Sequence, residues 1–382
     1  MSVYKRKSGR WAVLIDVERR ADGTRKRRAF GTFTTRKQAE RGEREALAAK
    51  DRGVDLAPDR VTVAQLLERY LRDRRALGRG EKTVERYEGI VRFNLAPHIG
   101  SIPLQKLRPA HVSELVATLR DRGGFKGGAL SPKTVKHAFA LLKAAIEWGL
   151  RHELVGRNVA DAVSPPSVPR GEIAALTLEE AQRLLYTADE SGEGRWGPFM
   201  RLALATGARR GELLAIRWTD VDLETTTLTI RAALSQTRAG VSEKGTKTDR
   251  VRVVALGTVA IEALRRQRAL QAQDRLGAGP RFADSGHAFQ NALGGPINPM
   301  RATDAFRELA RRIGLSTTSL HALRHTSVSW MISAGIDART VAAIAGHSTP
   351  SVTLAIYSHL VAGAQAKAVA TIDDRLASGA AR

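Results

Sequence analysis

From Thr62 onward, apolar residues recur at helical spacing. Val63, Leu66, Leu67, Tyr70 and Leu71 share one face behind Thr62, a residue type that caps helix N-termini. The segment "SPKTVKHAFALLKAAIEWGL" opens with Ser131 at the cap and Pro132 at the first helical position. About four helices fit before residue 160. Upstream the period drops to two: "WAVLIDV" and "RKRRAFGTF" read as strands joined across Asp22-Gly23, a strong hairpin signal. The helix that follows, "TTRKQAERGEREALAAK", is capped by Thr34 or Thr35. Further on, "SPPSVPRGE" (residues 164–172) breaks any helix with its three prolines. After it, "TLEEAQRLLYTA" starts a new helix with Thr177 as cap and Glu180 three residues later. Helices then alternate with one Thr- and Val-rich hairpin, from "TTTLTIRAAL" to "DRVRVVAL".

These patterns predict a mainly α, multidomain chain. A small N-terminal sheet of three strands plus one helix spans 1–57, and a helical bundle spans 62–160. A linker covers 161–174, and a mixed α+β domain with a small antiparallel sheet and a C-terminal tail covers 175–382. The length of 382 residues agrees, because one core rarely keeps growing past about 250–300 residues. There is no internal repeat.

Charge changes the picture. The formal net charge is +23, and the first fifty residues alone hold 15 Lys and Arg against 6 Asp and Glu. That excess implies a polyanionic partner, with double-stranded DNA foremost, because cationic side chains that neutralise phosphates release condensed counterions. An anionic membrane would call for a basic amphipathic helix with a bulky apolar face. Here the basic residues are spread over every segment, and no apolar run approaches the ~18 residues of a membrane span. The absence of cysteine excludes disulfides, thiolate metal sites and thiol nucleophiles. The start "MSVYKRKSGRW" lacks the apolar core of a secretory signal, which places the protein in the cytoplasm, at the nucleoid.

Chemistry concentrates in the last domain. "LATGARRGELLAIRW" sets Arg209 and Glu212 just past a glycine, at a helix start. "KGTKTDRVRVV" puts Lys244 and Lys247 in or near the hairpin turn, and in "HALRH" the spacing of His321 and Arg324 places both on one helical face. "AGHSTPSVTLAIYSH" then brings His347 and Tyr357. His321, His347 and His359 lack a second ligand at metal-binding spacing, so no metal or other cofactor is expected. Two arginines, a lysine, two histidines and a tyrosine instead suit metal-free phosphodiester transfer. They supply forked donors for phosphate oxygens, a general acid for the leaving oxygen and an oxygen nucleophile.

The ordered set "TGARRGE", "KT" in a hairpin, "HALRH", "GHS" and "YSH" resembles the active-site boxes of the tyrosine recombinase (phage integrase) family. By resemblance, Tyr357 attacks a DNA phosphate to form a 3′-phosphotyrosyl ester, Arg209 and Arg324 hold that phosphate, and Lys247 protonates the leaving 5′-oxygen. His321 acts as acid–base partner, His347 donates a hydrogen bond, and Glu212 orients its neighbours. The hairpin after "KT" is one residue shorter than the commonest family pattern, so Lys244 competes with Lys247. Residues 1–57 are similar to the arm-type DNA-binding domain of integrases from phages and conjugative elements, and 62–160 to the helical (SAM-like) core-binding domain. Lys5, Arg6, Lys7, Arg25, Lys26, Arg27, Arg28, Lys133 and Lys136 are the expected DNA contacts.

The resemblance implies integration and excision of a phage or other mobile element by a homotetramer that joins core-type and arm-type sites through a Holliday junction. A directionality factor or DNA-bending protein would assist, and the tail would dock either on its own domain or on a neighbour. The competing readings are a DNA-binding regulator with vestigial boxes, a chromosome-dimer resolvase and a topoisomerase with the same chemistry.

Overall fold

The computed structural model of the chain describes residues 2–6, 9–19, 25–51, 61–124, 127–168, 175–191, 194–245 and 251–347, with scattered positions beyond. The fold is mainly helical with small antiparallel sheets, and it divides into two compact units, residues 1–170 and 171–382.

In the first unit, strands β1 (Ser2–Lys5), β2 (Trp11–Arg19) and β3 (Arg25–Phe33) form an antiparallel sheet in that order. The Asp22-Gly23 turn lies outside the described residues. Helix α1 (Arg36–Asp51) takes Thr35 rather than Thr34 as its cap, since Thr35 Oγ1 accepts from the Gln38 amide at 3.3 Å. The ring of Phe33 fills the space beside Gly42, where a Cβ would come within 2.5 Å of it. That contact explains a glycine inside a helix.

The expected four-helix pattern follows. Helix α2 (Val63–Ala76) is closed by a reciprocal capping box between Thr62 and Gln65. Helix α3 (Glu81–Ile90) continues through a π turn (Val91–Leu95) into α4 (Ala96–Ile99), and α5 (Pro109–Arg122) and α6 (Pro132–Arg151) complete the bundle. The α2 face named from the sequence is the buried one, packed with Leu142 and Ile146 of α6. Val159–Ala162 form a 3-10 turn whose Val159 and Ala160 join the core. Asn158 Nδ2 donates to the Lys143 carbonyl (3.1 Å), and Asp161 pairs with Lys143 (2.7 Å). Residues 169–174 lie outside the described residues.

The second unit begins with α7 (Leu178–Asp189), opened by the predicted Thr177–Glu180 capping box. Helix α8 (Trp196–Thr206) is buried almost all round, with Phe199, Met200 and Leu202 fully inside. It ends at Gly207, whose φ of 60° is the left-handed terminator that favours glycine, and the short helix α9 (Arg210–Ala215) starts immediately after. Five strands follow with a topology the sequence pattern did not resolve. β5 (Thr227–Ile230) pairs with β8 (Arg252–Ala255), and β4 (Val221–Asp222) lies on the other side of β5. Between β5 and β8 is inserted a second hairpin of β6 (Ala232–Thr237) and β7 (Gly240–Gly245). The single expected hairpin is therefore a nested pair, because "AALSQT" and "GVSEKG" are too poor in β-branched and aromatic residues to announce strands. Helices α10 (Thr258–Ala278), α11 (Pro299–Arg312), α12 (His321–Ser333) and α13 (Ala338–Ala345) follow among the described residues.

Truncating a fully buried bundle residue should destabilise the first unit strongly. Leu142→Ala is expected to cost about 2–5 kcal/mol, measured by chemical denaturation followed by circular dichroism.

Candidate active site

Two arginines are immobilised by carbonyls at helix ends. Arg209 is the N-cap of α9, and its NH1 donates to Glu212 Oε1 (2.9 Å) while its NH2 donates to the Gly346 carbonyl (2.8 Å). Arg324, in the first turn of α12, is 4% exposed. Its NH1 donates to the carbonyls of Gly207 (2.8 Å) and Ala345 (2.5 Å), the C-terminal ends of α8 and α13. Helix C-termini carry partial negative charge, so these carbonyls hold cations without neutralising them. The side chain of Arg209 is 32% exposed, and a guanidinium has five N–H donors, so donors remain for a ligand. Arg209, Arg210, His321 and Arg324 line an open cavity of about 380 Å³ together with Leu213 and Leu323.

Glu212 is the hub. Only 2% exposed, it accepts from the Arg209 amide (2.9 Å), from the Arg209 side chain, and from Arg252 NH2 (2.6 Å). Burial pushes its pKa up, but the hydrogen bond and charge of Arg252, with the hydrogen bonds of Arg209, outweigh burial and hold it below the usual carboxylate range. It is anionic at neutral pH.

The histidines gather at the same place. His321 opens α12 with its rim in solvent, and packing behind it, then the charges of Arg324 and Arg209, lowers its pKa. His325 lies one turn on, its ring 4.6 Å from that of His321 in an edge contact, and burial holds its pKa at about 4. His347 follows Gly346, the left-handed terminator of α13 (φ 73°), and burial followed by Arg324 and Arg209 holds its pKa at about 4 as well. All three imidazoles are therefore neutral at pH 7 beside two fixed cations, so each has one N–H donor and one acceptor nitrogen. This arrangement suits a phosphodiester: fixed positive donors for its oxygens, with neutral groups ready to donate or accept protons.

The structure brings Arg209, Glu212, His321, Arg324 and His347 together. Lys247, Tyr357 and His359 lie outside the described residues. Lys244 is exposed on β7 opposite Ala233, away from the β6–β7 turn, and the preceding Glu243 is tied to Arg217 at 2.7 Å. Among the expected DNA contacts, Lys5, Arg6, Lys133 and Lys136 are exposed, Arg25–Arg28 lie along β3, and Lys7 is outside the described residues. Among the described residues no group of three or more His, Cys, Asp or Glu is placed to hold a metal ion, and no helix is long and apolar enough to cross a membrane.

Arg252, His325 and Gly346 were missed by sequence reasoning. A signal for Arg252 existed: it alternates with the buried Val254, so a charged residue occupies an inward strand position.

Comparison with known proteins gives the same picture. The phage integrase family model matches residues 174–363, and the model of the phage integrase N-terminal SAM-like domain matches 62–120. The chain is 30% identical over 253 residues to a tyrosine recombinase XerC of Xanthomonas axonopodis pv. citri (strain 306), covering 66% of this chain and 73% of that one. It is 27% identical over 337 residues to an integrase of Streptomyces ambofaciens, covering 86% and 84%. Among solved structures it is similar to the Tn1549 transposon integrase in complex with a circular intermediate DNA (TM-score 0.65, 23% identity, 78% of this chain and 95% of that one). It is also similar to a lambda integrase tetramer bound to a Holliday junction (TM-score 0.60, 17% identity, 92% and 94%).

The low histidine pKa values predict a pH dependence of stability. In the unfolded chain these groups titrate near 6.5, so on acidification the unfolded state takes up protons that the folded site refuses. Stability is lost as pH falls from about 6.5 towards 4. Melting temperatures of the DNA-free protein should drop between pH 7 and pH 5, and His325→Gln should flatten that slope; equal slopes would contradict the assignment.

Proposed function

Because this chain belongs to the phage integrase family of tyrosine recombinases, it is a site-specific DNA recombinase, and we propose that its described cleft holds the scissile phosphate during strand exchange. The observation that carries the reading is the convergence of Arg209 and Arg324, both fixed by protein carbonyls, with His321 and His347 beside them. Donors fixed in advance stabilise charge that develops on phosphate oxygens without reorganising at the moment of reaction.

In this mechanism Tyr357 Oη attacks the phosphorus, the bond to the 5′-oxygen breaks, and a 3′-phosphotyrosyl ester forms. Lys247 gives its proton to the leaving 5′-oxygen, and Lys244, exposed on β7, is the alternative donor. His321 receives or returns the tyrosine proton; its lowered pKa keeps the ring neutral at pH 7, with a free nitrogen to accept a proton, and makes it a weaker base. His347 donates a hydrogen bond to a non-bridging oxygen. The 5′-hydroxyl of a second duplex then attacks the ester and restores a phosphodiester, so the sequence of two such exchanges passes through a Holliday junction. Bond energy is conserved throughout, and the roles assigned to Tyr357 and Lys247 rest on their places in the sequence motifs.

We read the protein as an integrase of a phage or other mobile element rather than as a chromosome-dimer resolvase. The basic three-stranded sheet with α1 supports this, as an arm-type DNA-binding domain with Lys5, Arg6 and Arg25–Arg28 as contacts. The core-binding helices would add Lys133 and Lys136 of α6, both exposed. The active form is proposed to be a homotetramer on DNA in the cytoplasm, aided by a directionality or DNA-bending factor.

The test uses nicked duplexes drawn from the DNA flanking the protein's own gene, incubated with EDTA and without ATP. A covalent protein–DNA adduct through Tyr357 to a 3′-phosphate is expected, and Tyr357→Phe should abolish it while DNA binding persists. Tight, specific binding with no adduct from the wild-type chain would favour the regulator reading.

A further inference from the structure

Arg252 has no part in the roles assigned above, yet the structure holds it at three points. Its NH2 donates to Glu212 Oε2 at 2.6 Å and its Nε donates to the Ile344 carbonyl at 3.0 Å. Its guanidinium also packs against Gly346 so closely that a Cβ there would lie 2.6 Å from NH1. Its side chain is only 12% exposed. Glu212 passes the contact on to Arg209, and Arg209 returns to the same helix end through the Gly346 carbonyl. The result is a closed ring of contacts from Arg252 through Glu212 and Arg209 to residues 344–346 and back.

We propose that Arg252 is a positioning residue for strand cleavage: through Glu212 it fixes the guanidinium of Arg209, and through Ile344 it fixes the end of α13 that carries His347. The inference rests on the recombinase reading of the cleft. Stability alone is a weak reason for a buried guanidinium–carboxylate pair here, because apolar residues often replace such a pair as a whole at no loss. The inward neighbour on the same strand, Val254, shows that this side of β8 accepts an aliphatic side chain. Geometry does give a reason. The planar fork of arginine reaches Glu212 and Ile344 together, whereas a lysine ammonium is a single point charge that cannot span both in the same way. Without the second cation, Glu212 is left to Arg209 alone, and the side chain is free to turn from the cleft towards the carboxylate. A displacement of about 1 Å in such a group costs up to about a hundredfold in rate.

The test compares wild-type and Arg252→Lys full-length protein on a nicked duplex that the wild-type chain cleaves, in single-turnover conditions. The rate constant for adduct formation is expected to fall at least tenfold, with the adduct's final amplitude and the DNA affinity nearly unchanged. A second substrate carries sulfur in place of the 5′-bridging oxygen at the scissile phosphate, a leaving group that departs without a proton donor. It should not restore the rate, because the defect lies at Arg209 and His347 rather than at the leaving-group acid. Should Arg252→Lys fail to fold, Arg252→Gln, which keeps a donor for Glu212 and no charge, carries the same comparison. An unchanged rate constant, a loss confined to amplitude and melting temperature, or full rescue by sulfur would each overturn the inference. Absence of any wild-type adduct would instead overturn the recombinase reading on which it depends.

Discussion

One buried carboxylate organises the second unit's chemistry. Glu212 is 2% exposed and takes hydrogen bonds from two guanidinium groups and one amide. Placing an anion there is unfavourable by itself, and only paired, fully bonded geometry makes it tolerable. The consequence reaches across the sequence. Arg209 lies at the start of α9, Arg252 on β8, and both reach the last residues of α13, so three segments far apart in the chain are locked at one point.

The second arginine is held by a different device with the same effect. Arg324 donates to the carbonyls of Gly207 and Ala345. Both acceptors sit where a helix ends at a left-handed glycine, Gly207 after α8 and Gly346 after α13. A helix end offers partial negative charge and unsatisfied carbonyls, which fix a cation yet leave its charge for a ligand. Burial, reinforced by the charge of Arg324, keeps the three histidines beside it neutral. The site is thus positive where a phosphate would lie and neutral where protons would move.

Much of this was legible in the sequence, for identifiable reasons. Thr62, Ser131 and Thr177 cap helices where their spacing to the apolar stripe said they should, because capping is a local interaction. Arg209 after Gly207, and His321 with Arg324, were readable because glycine termination and helical spacing are also local. The nested hairpin was not readable, since β6 and β7 are held by pairing with each other and by contacts such as Arg217 to Glu243 rather than by strand-forming side chains. Nor was Arg252 assigned a purpose, because its partners Glu212 and Ile344 stand 40 and 92 positions away.

The account stands on the claim that Arg209 and Arg324 are spaced by the protein to receive one phosphate. A structure of the Tyr357→Phe protein bound to an uncleaved core-site duplex tests this most directly. It should place a single backbone phosphate with its non-bridging oxygens on both guanidinium groups, with His321 and His347 in hydrogen-bond reach and Glu212 still bound to Arg209 and Arg252. A duplex bound elsewhere, with these two arginines contacting only protein carbonyls and Glu212, would contradict it.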